Sequence, residues 1–168
     1  MKARLVLVLD NIRSGHNVGS LMRTCDGLGI DMIYVCGITP YPRTDNDPRP
    51  EHVIRSNVKE IRKTALGAED GVSFEHRDDA SSIVRELKAR GYEIYCLENN
   101  VPDTERLNEA TCGKDAALVL GSEVDGLSSD VLSLADHIIE IPMRGQKNSL
   151  NVSVAGAIAL YALAQPRD

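Results

Sequence analysis

The chain has no tryptophan and a single phenylalanine, Phe74, and with five tyrosines its aromatic share is 4%. So sparse a set excludes the aromatic platform on which many single-strand binders stack successive bases. Cysteine is scarce as well. Cys25, Cys36, Cys96 and Cys112 include no C-x-x-C pair, and the four histidines are scattered. Neither a metal site nor a dithiol redox pair is therefore expected. Cys25, Cys36 and Cys96 fall in apolar stretches and read as small buried hydrophobes. Long apolar runs are also missing. The longest, Val152 to Ala164, contains Ser153 and Gly156 and is too short to span a bilayer, so no membrane partner is expected. The chain opens directly on strand-like sequence. The expectation is that no signal peptide is present and that the protein works in a reducing cytoplasm. Positive charge is in deficit, with 19 Lys and Arg against 25 Asp and Glu and a net charge of −6. Overall that disfavours a nucleic-acid partner. The charges are uneven, however. Arg43, Arg49, Arg55, Lys59, Arg62 and Lys63 outnumber the acids between them, so residues 43–63 are mildly basic.

At 168 residues the chain suits one domain with one core. Short β-branched apolar runs predict buried strands at Leu5–Leu9, Asp31–Cys36, Val72–His76, Tyr92–Leu97, Ala116–Leu120 and His137–Ile141. Apolar residues at helical spacing lie between them. Val18, Leu21, Met22, Cys25 and Leu28 mark a first helix, stopped by Gly29. Further helices are predicted over Asn57–Leu66, Asp79–Ala89, Ser128–Leu134 and about Ser149–Ala164. Residues 39–51, with Pro40, Pro42, Pro48 and Pro50, read as a long loop. Strands alternating with helices predict an α/β fold with a mostly parallel sheet and helices on both faces.

Three polar segments each follow a predicted strand, and in open parallel sheets ligands bind off the carboxyl ends of strands. The first is Asn11-Ile-Arg-Ser-Gly-His-Asn-Val-Gly-Ser-Leu-Met-Arg23. Asn17 is placed as a helix N-cap. Arg23 follows Gly19 by four residues, so its guanidinium can lean back over bare backbone and form an oxyanion slot, although spacing alone favours a capped helix with a solvated arginine. The second is Leu118-Val-Leu-Gly-Ser-Glu-Val-Asp-Gly-Leu127, a tight turn between Gly121 and Gly126 with Glu123 at its crest. It matches neither phosphate-loop nor dinucleotide glycine patterns, and the first strand lacks the glycine fingerprint that a nicotinamide oxidoreductase would need. The third is Ile141-Pro-Met-Arg-Gly-Gln-Lys-Asn-Ser-Leu-Asn-Val-Ser-Val-Ala155. It leads into a last helix that is apolar nearly all round, and such a helix is covered on every side. A partner is expected over its outer half, and Ser149, Ser153 and Gly156 are expected to form a line of small residues allowing close approach.

In this order the three segments resemble the signatures of the SpoU/TrmH family of the SPOUT superfamily. The resemblance implies one catalytic domain over residues 1–168 without terminal extensions, with a C-terminal trefoil knot. It implies an S-adenosyl-L-methionine-dependent methyltransferase acting on a ribose 2′-hydroxyl of tRNA or rRNA, working as a homodimer without metal. The donor would be held around Leu97, Gly121, Ile141, Met143, Ser149 and Leu150. Arg23 would be the central catalytic residue, with Asn17, Glu123, Ser149 and Asn151 lining the site. Gly15-His-Asn17 stands where relatives often carry a proline, which puts His16 beside that site. The alternatives are a base methyltransferase of the same superfamily and a non-catalytic knotted RNA-binding protein.

Overall fold

The computed structural model describes residues 3–99, 101–110 and 112–165. The chain runs β1 (Leu5–Asp10), α1 (Gly15–Leu28), β2 (Met32–Cys36), α2 (Glu51–Ala65), a 3-10 turn (Ala68–Asp70), β3 (Phe74–Arg77) and α3 (Ala80–Ala89). It continues with β4 (Glu93–Leu97), β5 (Glu105–Arg106), β6 (Ala116–Leu120), α4 (Ser129–Leu134), β7 (His137–Glu140) and α5 (Val152–Ala164). Among the described residues the strands form one seven-stranded sheet in the order β3-β2-β1-β6-β4-β7-β5. Every pairing between strands is parallel.

Alternation along β1 shows how the two layers form. Leu5, Leu7 and Leu9 join a core with α1, α2 and α5, through residues such as Leu21, Ile61 and Leu160. Val6 and Val8 face the opposite way, onto Ile83, Val84 and Leu87 of α3 and Val131 of α4. Because both faces of β1 and β6 are covered, those strands are unbroken apolar runs. Burial in these layers pushes the thiols of Cys25, Cys36 and Cys96 up to about 12, so all three are inert hydrophobes.

Several boundaries differ from the expectation. The N-cap of α1 is Ser14, whose hydroxyl accepts from the Asn17 N–H at 3.3 Å. Asn17 therefore sits inside the first turn, and its side chain is free to bond elsewhere. Helix α2 starts at Glu51, six residues ahead of the expected Asn57. Polar Glu51, His52, Arg55 and Ser56 hide its buried stripe of Ile54, Ile61 and Ala65. Pro50 precedes it, and Glu51 complements the helix dipole. The shortened loop is tied by Arg49, which bonds Asp47 at 2.6 Å and both Tyr41 O and Pro42 O at 3.0 Å. Strand β5 was not expected, being only two residues at the sheet edge. Helix α5 begins at Val152 with Asn151 as its cap, leaving Ser149 and Leu150 outside it. The expected line of small residues therefore reduces to the helix itself. There Gly156 carries the close approach, since a β-carbon would lie 2.6 Å from Leu120 Cδ1 and 2.8 Å from Leu21 Cδ2.

At the edge bearing the strand N-termini, His137 joins three strands. Its Nδ1 lies 2.8 Å from Glu105 of β5 and its Nε2 lies 3.1 Å from Glu93 of β4, and the ring stacks on Tyr95. Desolvation opposes the imidazolium, but the two carboxylate hydrogen bonds outweigh it and raise the His137 pKa. A raised histidine pKa stabilises the fold fully below the unfolded value of about 6.5, and that contribution is lost as pH climbs through the higher folded value. His137→Gln should therefore lower the urea midpoint more at about pH 6 than at about pH 9. An equal loss at both pH values would refute a charged bridge.

Candidate active site

Parallel pairing brings the loops after β1, β6, β4 and β7 to one edge of the sheet. There a cavity of about 530 Å³ opens, in the range of small-molecule sites. Leu97 at the end of β4, Gly121 after β6, and Ile141 and Met143 after β7 line it. Ser149, Leu150 and Asn151, ahead of α5, close the opposite side, and Glu123 projects from the turn. All six residues expected to bind a donor thus line this one cavity, as do three of the five expected to be catalytic, Ser149 belonging to both sets.

The turn is built by glycine packing. Gly126 takes φ 67°, a left-handed conformation that suits glycine. Gly121 lies against it, and a β-carbon on Gly121 would sit 2.5 Å from Gly126 C and 2.6 Å from Leu127 N. Its bare backbone thus serves the turn's own closure as well as the cavity. Two residues missed at the sequence level brace the site. Glu98 Oε2 accepts from Leu127 N at 3.0 Å, and its Oε1 accepts from Asn99 N at 3.2 Å. Asn99 Nδ2 donates to Ile141 O at 3.2 Å and Asn148 O at 3.4 Å, while its Oδ1 accepts from Ile141 N at 3.3 Å. A polar pair immediately after a buried strand was the available signal for both.

Asn17 is not on the cavity wall, yet it is bound to it. Its Nδ2 donates to Glu123 Oε1 at 2.8 Å, and its Oδ1 accepts from Asn151 Nδ2 at 3.2 Å. Asn151 Oδ1 in turn accepts from Ser153 N at 2.9 Å, and Glu123 Oε2 accepts from Arg13 N at 3.2 Å. One hydrogen-bonded chain therefore links the starts of α1 and α5 to the turn after β6.

Arg23 stands apart. It is exposed and opens onto a separate hollow with Ser20 and Thr24 of α1, Lys63 and Thr64 of α2, and Leu66. Of the two readings of Arg23, the slot over Gly19 is not formed and the solvated arginine is what the fold contains. That face is filled by α2, where a β-carbon would collide with the Ile61 carbonyl and the Thr64 hydroxyl. Gly19 lets the helices touch, and Arg23 borders the hollow between them. His16 contributes its carbonyl, which accepts from Thr64 Oγ1 at 2.7 Å.

The charged side chains on the cavity wall are Glu98, Glu123 and Asp125, and among the described residues no lysine or arginine lines it. Such a cavity suits a ligand with an apolar body and positive charge.

The sequence pattern of the SpoU rRNA methylase family matches residues 4–161. The chain belongs to that family. It is 30% identical over 163 residues to a tRNA (guanosine(18)-2′-O)-methyltransferase of Thermus thermophilus, covering 97% of this chain and 75% of the relative. It is 31% identical to a putative TrmH family tRNA/rRNA methyltransferase of Staphylococcus aureus, of which it spans 59%. The crystal structure of the Aquifex aeolicus TrmH/SpoU tRNA modifying enzyme superposes with a TM-score of 0.77 at 28% identity, over 97% of this chain and 76% of that one. A structure described as giving insight into the 2-OH methylation of C/U34 on tRNA superposes with a TM-score of 0.73 at 25% identity, over 96% and 94%. In this SpoU-family chain the loops after β1, β6 and β7 meet at one fold edge.

The glycine packing is testable. Gly121→Ala should destabilise the protein by about 1–3 kcal/mol, because the new methyl meets backbone that cannot rotate away. Gly27→Ala is the contrast: its β-carbon meets nothing within 4 Å, so that substitution inside α1 should be neutral or stabilising. Urea unfolding of both variants is the measurement, and equal midpoints would contradict the packing.

Proposed function

We propose that this protein is an S-adenosyl-L-methionine-dependent methyltransferase that acts on a ribose 2′-hydroxyl of tRNA or rRNA. The observation that carries the reading is the hydrogen-bonded chain Glu123–Asn17–Asn151, which joins all three family segments at one cavity. The bound donor supplies a methyl group already activated by a sulfonium charge. Apolar Leu97, Ile141 and Leu150 and the backbone at Gly121 offer its adenosine a packing surface, and the carboxylates favour its positive charge. The protein's share of the chemistry is positioning.

Arg23 holds the RNA. A guanidinium is not deprotonated in proteins, so it is not the base. Its planar fork suits the phosphate beside the target ribose, and that phosphate or a water takes the hydroxyl proton. The knot belongs to this reading, supported by Asn99, which clasps the segments after β7 and before α5. So does a homodimer. Val154, Ile158 and Tyr161 of α5 are 48%, 42% and 59% exposed, an apolar stripe at i, i+4 and i+7 suited to a second copy. No helix among the described residues is long and apolar enough to cross a membrane. Three buried free thiols suit the reducing cytoplasm as the working compartment.

Calorimetry should show donor binding that excess EDTA leaves unchanged, and silence at high donor concentration would remove the reading. Arg23→Ala should reduce methyl transfer to total RNA by on the order of 100-fold or more. Its donor affinity should stay at the wild-type level, and Arg23→Lys should be nearly as poor. Full activity in Arg23→Ala would overturn the assignment. Digestion of the product to nucleosides and mass spectrometry separates a ribose methyl from a base methyl. Sedimentation at micromolar concentration should give a dimer, and Ile158→Asp a monomer. A wild-type monomer would contradict the role given to α5.

A further inference from the structure

Most cations of this acidic protein have a carboxylate within reach. Arg4 meets Asp115, Arg43 and Arg55 share Glu51, Arg49 meets Asp47, and Lys88 meets Asp136. Arg62, the neighbour of Lys63 on α2, meets Glu69. Arg23 and Lys63 are two of several exceptions, Arg85 among them, and these two face the same hollow between α1 and α2. Both are exposed, and neither has an ion pair or hydrogen bond among the described residues. The hydroxyls around them are mostly committed: Thr24 Oγ1 donates to Ser20 O at 3.1 Å and Thr64 Oγ1 donates to His16 O at 2.7 Å. Those bonds hold the walls still, while the cations remain free to bind. Two like charges brought to one hollow repel, and an anion between them reverses the sign of that interaction. The hollow is also rigid where it matters, since Gly19 locks α1 onto α2 beneath it.

We propose that Lys63 is a second positioning residue for RNA, forming with Arg23 a two-armed seat for one backbone phosphodiester. The proposal rests on the ribose methyltransferase reading. Arg23 supplies the planar fork and Lys63 a point charge from the facing helix. Lys63 touches neither the donor cavity nor the chain of bonds through Asn17, so its effect falls on RNA binding alone.

The test compares Lys63→Ala, Lys63→Arg and Arg85→Ala in the full-length protein. Arg85 lies on α3, across the sheet, and bonds Ser81 at 3.0 Å, so it controls for loss of one positive charge. Methyl transfer to total RNA from cells lacking the gene is measured at several salt concentrations, together with donor binding by calorimetry. Lys63→Ala should raise the KM for RNA about tenfold or more, the worth of one charge-assisted contact, with kcat nearly unchanged. The slope of log KM against log salt should fall by about 0.7–0.9, the signature of one lost phosphate contact. Lys63→Arg should recover most of the affinity, and Arg85→Ala and donor binding should match the wild type. An unchanged KM and salt slope in Lys63→Ala, or a fall in kcat alone, overturns the proposal. If Arg23→Ala is inactive in that case, the methyltransferase reading stands without it. A wild-type protein that transfers no methyl group to any RNA overturns both.

Discussion

Parallel pairing of β1, β6, β4 and β7 is the constraint on which the site depends. In a parallel sheet each connection must cross a face and return, so every carboxyl end lies at the same edge. Here the segments opening at residues 11, 98, 121 and 141 all start from that edge. The pairing is held by burial on both faces, with Leu7, Leu118 and Tyr95 on one and Ile83, Leu87 and Ile94 on the other among the largest side chains removed from solvent. The fold therefore supplies no preference for a particular ligand. It supplies a place where polar loops from distant parts of the chain meet over a rigid floor.

Two electrostatic environments grow from that edge. The cavity between the ends of β4, β6 and β7 carries carboxylates, and the hollow between α1 and α2 carries two cations with no ion pair among the described residues. Helix α1 connects them. Its first turn is tied to the cavity through Asn17, and Arg23 lies six residues on, about 9 Å along a helix rising 1.5 Å per residue. A net charge of −6 is thus compatible with a polyanionic partner, because what that partner meets is the local field. The acidic excess falls partly on the cavity, where it suits a cationic donor, and partly on ion pairs that neutralise the basic stretch at residues 43–63.

Glycine has a different task at each site. Gly126 adopts a backbone conformation that other residues resist, whereas Gly121, Gly19 and Gly156 are small because something packs against them. At Gly19 and Gly156 the neighbours are helix α2 and the side chains of Leu21 and Leu120, so these residues set how closely α1 and α5 approach the rest of the fold. Spacing at Gly19 does not separate an oxyanion slot from helix packing, because a bare backbone looks the same in sequence whether a ligand or a helix fills it.

What the sequence determined by itself was local: the continuous apolar runs that became β1, β4, β6 and β7, the helical spacing that became α1 and α3, the stop at Gly29, and the three polar segments after strands. These are visible because their physics acts within a few residues. Helix α2 was half hidden because its buried face has only three residues at long spacing, and β5 because two edge residues have no period. Tertiary structure alone decided the partners of Asn17. Freed from capping by Ser14, it bonds Glu123 across 106 positions and Asn151 across 134. It likewise decided that Arg23 shares a hollow with Lys63 and is separate from the cavity. Such pairings depend on which faces of distant elements meet, and a one-dimensional pattern carries no record of that until the core has packed.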